Sequence, residues 1–108
     1  MSVTDEDIAF LRDLFSALPD LTHRKMMGGL SLYSEGQIFA IMRAEARVFV
    51  KATGTLADEL AVEGSEIFTH ERKDGKIASM GYWTLPESAL DDPEEAADWG
   101  RKALMAAQ

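Results

Sequence analysis

The spacing of apolar residues changes once near the start of this chain, and that change most constrains its fold. In residues 4–18 the spacing is three and four, which predicts one stripe of an amphipathic helix. Thr4 and the acids after it suit a helix N-terminus. From Lys25 onward apolar residues alternate, which predicts a strand. The chain therefore begins as a helix followed by a sheet. The helical stripe consists of Ile8, Leu11, Leu14, Phe15 and Leu18.

The remaining pattern predicts four more strands and two more helices. A turn at residues 34–36 and an Asp-Gly pair at residues 74–75 indicate hairpins, and Asp92 before Pro93 indicates a helix start. The predicted order is α-β-β-β-α-β-β-α in a single α+β domain spanning residues 1–108. Strands are predicted at residues 25–33, 37–42, 47–52, 67–72 and 77–84, and the later helices at 56–62 and 93–107.

The second predicted strand is apolar on both faces. Residues 38–42 are all hydrophobic, and a strand of this kind indicates that neither face of the central sheet is fully exposed to water. Only three helices are available to cover the sheet. A second subunit could complete one face, so a homodimer is one arrangement that the pattern allows.

The charge is strongly acidic overall and unevenly distributed. The net charge is −8, which argues against generic binding to a nucleic-acid backbone. Residues 1–20 and residues 81–108 each carry a net −4, whereas residues 21–80 hold eight acids and eight bases. One interpretation is solvated helix faces. The other is a basic patch on the sheet that holds an anion or an acidic partner.

No pattern of residues indicates catalysis, a metal or a cofactor. The chain has no cysteine and two histidines without metal-ligand spacing. It also lacks the glycine-rich and nucleophile motifs of nucleotide-binding proteins and hydrolases. We therefore expect a non-enzymatic protein. Residues 1–7 do not resemble a signal peptide and no apolar run could span a membrane, so we expect a cytoplasmic location.

The candidate binding residues cluster around a basic pair and a glycine pair. A contact surface on one sheet face is predicted to include Met27, Gly29, Tyr33, Phe39 and Phe49, with Arg24 and Lys25 at its edge. Alternatively, Arg24, Lys25 and Lys51 would hold a small anionic ligand, and Gly28, Gly29 and Gly81 would leave room for it. The glycine pair could instead mark the close approach of a helix or subunit.

Two aromatic predictions complete the set of candidates. Tyr82 is expected at the rim of the sheet and is also a candidate binding residue. Trp83 and Trp99 are expected in the core. A base-stacking platform is disfavoured by the acidic charge.

Two motifs resemble those of a known family. The segment RKMMGG at residues 24–29 is similar to the RKMFGG opening of the TfoX N-terminal domain family, with Met27 in place of phenylalanine. The later signature SMGYW, followed by two further residues and then proline, is intact at residues 79–86. The resemblance covers nearly the whole chain. The family is named for a bacterial regulator of natural competence.

This resemblance implies a two-layer fold of helices against an antiparallel sheet, similar to that of secretion chaperones. It also implies a bacterial cytoplasmic regulatory domain without enzymatic activity, whose partner is a protein, with transcription machinery as one candidate. In the full-length regulator a C-terminal helical domain follows. Because this chain ends at Gln108, we expect it to be a stand-alone form of the N-terminal domain.

Overall fold

A computed structural model describes residues 3–26, 29–43, 47–71, 73–75 and 77–106, and it describes the backbone but not the side chains of residues 26, 70, 71 and 77–80. The element order is α-β-β-β-β-α-β-β-α, which confirms the predicted α+β class. The helices are α1 (Asp5–Leu14), α2 (Gly54–Val62) and α3 (Pro93–Ala106). The strands are β1 (Leu21–Met26), β2 (Gly29–Ser34), β3 (Gln37–Arg43), β4 (Arg47–Lys51), β5 (Ile67–Glu71) and β6 (Ile77–Thr84).

A capping box starts helix α1. The Asp7 backbone N–H donates to the Thr4 hydroxyl (3.2 Å), and the Thr4 backbone N–H donates to the Asp7 carboxylate (2.9 Å). Each bond satisfies a donor that the first turn would otherwise leave free. The helix ends at Leu14, earlier than the stripe predicted, yet Phe15 and Leu18 are still buried in the core.

All described strand pairs are antiparallel, in the order β1-β2-β3-β4-β6-β5. The prediction of a single strand over residues 25–33 was wrong. Met26 lies opposite Gly29, so the chain reverses direction between them. Met27 and Gly28, two of the predicted site residues, lie outside the described residues. The first strand also begins earlier than predicted, at Leu21. The prediction missed this start because a segment that is polar on both faces shows little alternation of apolar and polar residues.

The three helices pack on one face of the sheet and form the main core with it. Phe39 is fully buried there and contacts the Phe15 ring edge-on, with 5.2 Å between ring centroids. Trp99 is also buried in this core and Trp83 packs against it, as predicted. Helix α3 approaches the sheet closely because Gly100 has no side chain to hold it away from Phe39.

The other sheet face has its own smaller apolar cluster. Ile41, Phe49 and Tyr82 are buried there, and Ile38 and Phe68 pack against them. Among the residues that the structure describes, the helices contribute side chains to the main core but none to this cluster. We call this side of the sheet the helix-free face. Within the described part of the chain, each helix is too short or too polar to cross a bilayer.

Candidate interaction surface on the helix-free sheet face

Strand register places four cations on the helix-free face. Residues directly opposite one another on antiparallel strands share a face. Arg24 lies opposite Ser31, which in turn lies opposite Ile41. Arg24 therefore shares the helix-free face with Ile41. On β4, Arg47 and Lys51 alternate with the core residues Val48 and Val50 and so point the same way as Phe49. Arg43 lies opposite Arg47. The four cations are Arg24, Arg43, Arg47 and Lys51.

Three of these cations lie over aromatic rings. The guanidinium carbon of Arg24 lies 5.8 Å from the centroid of the Tyr33 ring. The corresponding distances are 5.0 Å from Arg43 to Phe68 and 5.5 Å from Arg47 to Phe49. These distances permit cation–π attraction.

The arginines also help to explain how the second cluster is shielded without a helix. Phe49 is only 5% exposed, and its ring contacts the Phe68 ring with 5.3 Å between centroids. The long apolar stem of an arginine can cover a ring while its charged end stays in water. The helix-free face is therefore a buried aromatic layer under an exposed cationic one.

A cavity of about 330 Å³ opens on this face among residues of β3, β4 and β5, although β6 separates β4 from β5 in the sheet. Arg43 and Arg47 line this cavity, and Glu66 contacts Arg47 at 3.5 Å. Both partners of that ion pair are more than half exposed, so water screens their attraction and the pair is weak. We call this cavity the arginine pocket. Its lining is Arg43, Arg47, Phe49, Glu66, Ile67, Phe68 and Thr69.

Tyr82 is buried rather than at the rim, so that prediction was wrong. Its side chain joins Ile41 and Phe49 under the helix-free face. Burial raises the pKa of the Tyr82 phenol above its usual value, and the neighbouring Tyr33 phenol raises it further. The cause is loss of water around the charged form. Tyr82 therefore stays neutral at physiological pH and acts as part of the apolar layer.

The structure separates the predicted basic pair. Arg24 lies on the helix-free face, whereas Lys25 lies opposite Leu30 and shares the helix-covered face with it. His23, two residues before Lys25, accepts a hydrogen bond from the Arg12 guanidinium of α1 (3.3 Å). Arg24 and Lys25 therefore do not converge on one ligand, as the anion-sensor alternative requires.

Lys51 is also distant from Arg24. Their strands are three positions apart in the sheet, which corresponds to about 14 Å between backbones. Gly81 lies beside Lys51 and Tyr82 rather than beside the predicted glycine pair; its carbonyl accepts from the Ala52 N–H (2.8 Å). The predicted anion site is thus dispersed over the sheet.

Phe39 was wrongly assigned to the contact surface. A β-bulge between β2 and β3 pairs Ala40 with Leu32 but Ile38 with Tyr33. The intervening Phe39 side chain packs against Phe15 on the helix side. Gly29, Tyr33 and Phe49 do lie on the helix-free face, as the register shows.

The sequence prediction missed Arg43 and Arg47. Both flank the connection between β3 and β4. A signal was present, since each is two residues from a hydrophobic residue of the same strand face, Ile41 and Phe49. Among the described residues, no group of three or more histidines and acids is arranged to hold a metal ion.

Comparison with known proteins identifies one family. The model of the TfoX N-terminal domain matches residues 13–107, which include all six strands together with α2 and α3. No curated protein matches the chain.

Proposed function

Because the chain belongs to the TfoX N-terminal domain family, we propose that it is a regulatory module that binds another protein and catalyses no reaction. We also propose that the protein acts in the bacterial cytoplasm and that transcription machinery is a candidate partner. The family supports a regulatory role because it is named for a competence regulator.

The helix-free face is the observation that carries this proposal. It presents four cations in a chain of net charge −8, above an apolar layer that no helix in the described part of the chain covers. Electrostatic complementarity steers partners of opposite charge and suppresses others. A surface of this kind is suited to a partner with an acidic contact region.

A second copy of this chain fits the face poorly. A two-fold symmetric dimer brings the same patch of both subunits together. The cationic faces of the two subunits, each with Arg24, Arg43, Arg47 and Lys51, would then lie against each other, and such like-charge contacts are unfavourable. We therefore expect a different chain as partner. Light scattering over micromolar concentrations tests the homodimer prediction directly; a dimer lost on substitution of Lys51 would contradict this expectation.

The test of the proposed function compares three forms of the protein as bait in a bacterial lysate. One is the wild type, one carries Lys51→Glu and Tyr33→Ala on the helix-free face, and one carries Arg101→Glu on α3. Quantitative mass spectrometry measures which proteins each bait retains. We expect a partner that binds the wild type and the α3 variant but not the face variant.

Arg101 is a suitable control because it is exposed on the helix layer and pairs with Asp98 at 2.8 Å. Its reversal changes the net charge as much as Lys51→Glu does. Equal retention of every protein by the three baits, or loss only with the α3 variant, would contradict a partner surface on the helix-free face.

A further inference from the structure

The arginine pocket brings two cations of the helix-free face together with Phe49 and Phe68 around one cavity. We propose that it is the anchoring site for an acidic peptide segment of the partner. A carboxylate side chain of the peptide would lie between the Arg43 and Arg47 guanidinium groups, and an adjacent apolar residue would contact Phe68. This inference rests on the proposed function and specifies the chemistry of its partner.

Among the residues that the structure describes, one carboxylate, that of Glu66, forms an ion pair with one of the two arginines. Arg43 and Arg47 lie directly opposite each other on neighbouring strands, an arrangement that is unfavourable for like charges. Glu66 contacts Arg47, whereas Arg43 has no ion pair with any described residue. A carboxylate placed between the two guanidinium groups would relieve their repulsion.

The geometry of the arginines suits a carboxylate. A guanidinium that lies over a ring uses its face for that contact, and its N–H donors point outward in its own plane. Arg43 lies over Phe68 and Arg47 over Phe49, and both arginines line the pocket. Carboxylates accept such paired donors in bidentate hydrogen bonds.

The pocket also provides apolar contact next to these charges. Phe68 packs against the apolar cluster of the helix-free face and is partly exposed in the pocket. The volume of about 330 Å³ lies at the lower end of the range for small-molecule pockets. It therefore fits one or two side chains of a peptide better than a large ligand.

A single-stranded nucleic acid is a poorer fit than an acidic peptide. Such binding relies on aromatic faces on which bases stack, but Phe49 is 5% exposed and its ring lies under Arg47. A peptide needs only one carboxylate at the arginines and tolerates the covered ring.

The experiment measures binding of a fluorescein-labelled peptide in which glutamate alternates with leucine. A second peptide replaces each glutamate by glutamine. Fluorescence anisotropy is recorded with the wild type, with Arg43→Gln and Arg47→Gln singly and together, and with Arg101→Gln as the matched control on α3. Circular dichroism checks that each variant is folded, which we expect because all three arginines are exposed.

We expect the glutamate peptide to bind the wild type and the Arg101→Gln control equally. The double variant should bind it at least about tenfold more weakly, since charge-assisted hydrogen bonds are lost. The glutamine peptide should bind weakly to every form. In NMR spectra, amide shifts on peptide addition should concentrate in residues 47–49 and 66–69.

Three results would overturn the inference. These are equal binding of the two peptides, unchanged binding by the double variant, and amide shifts confined to the region of Arg24 and Lys51. Tighter binding of single-stranded oligothymidylate, lost in the same double variant, would assign the pocket to nucleic acid instead. A further bait carries Arg43→Gln and Arg47→Gln together. If this bait still retains the partner while the bait with Lys51→Glu and Tyr33→Ala does not, the proposed function stands and this inference fails.

Discussion

Gly100 lies where helix α3 meets the sheet, and its replacement by alanine tests the packing of the two layers. A Cβ atom at this position would lie 2.9 Å from Leu18 Cδ1 and 3.4 Å from Phe39 Cε2. Favourable contacts between carbon atoms lie at about 3.5–4.0 Å. Leu18 is 4% exposed and Phe39 is fully buried, so neither side chain can move into solvent to make room.

Two opposing terms set the size of the effect. In a helix interior, alanine is more favourable than glycine by about 1 kcal/mol. Insertion of a methyl group into a packed core costs about 1–3 kcal/mol. We therefore expect Gly100→Ala to lower the free energy of unfolding by about 1 kcal/mol. Urea unfolding followed by circular dichroism should show a lower midpoint with an unchanged slope.

Leu18→Ala provides the test of the cause. It removes Cδ1, the atom nearest to the added methyl group. In that background Gly100→Ala should be neutral or stabilising, with a coupling free energy of about 1 kcal/mol between the two sites. The reasoning is refuted if Gly100→Ala alone stabilises the protein by the full helix-propensity term, or if the two substitutions are additive.

Three smaller substitutions test other features. Thr4→Ala should lower the free energy of unfolding by about 1 kcal/mol, because the capping box loses its hydroxyl acceptor; a urea midpoint equal to that of the wild type would contradict this. Glu35 has a φ of 51° in the turn before Gly36, so Glu35→Asn should stabilise by up to about 1 kcal/mol in thermal unfolding, since asparagine tolerates this conformation better. Tyr82→Phe should reduce the loss of stability above the ordinary tyrosine pKa of 10.0.

The sign of the Tyr82 effect follows from its raised pKa. As pH rises past the ordinary pKa, the unfolded chain releases the phenol proton while the folded chain still holds it. The unfolded state then binds fewer protons, so stability falls with rising pH. Phenylalanine has no such proton. Parallel alkaline stability curves for the wild type and Tyr82→Phe would show that Tyr82 does not titrate differently in the two states.

Much of the fold follows from local sequence. The capping residues at Thr4 and the Asp92-Pro93 start of α3 act within a few residues of one another, so their effect can be predicted without tertiary structure. Alternation in β4 likewise places Val48 and Val50 on one face of the sheet and Phe49 on the other. The fold class and the family can also be predicted from the sequence, because both depend on the order of such local patterns and motifs.

The division of residues 21–34 into two strands required the tertiary structure. Alternation specifies which side chains share a face but not where a chain turns back on itself. The pairing of Met26 with Gly29 reverses the chain. The strand before this reversal, β1, includes both Arg24 and Lys25, so their side chains alternate between the two faces. A pair that is adjacent in sequence is therefore divided between the two layers.

Which residues make up the candidate site was also decided by the tertiary structure. The bulge between β2 and β3 moved Phe39 to the helix side, a displacement that alternation cannot foresee. The arginine pocket combines residues of β3, β4 and β5, which are distant in sequence. The sequence alone determined the fold class, the family and the presence of cations in the middle of the chain. Strand pairing decided which cations meet, because contacts across a sheet depend on register and not on sequence distance.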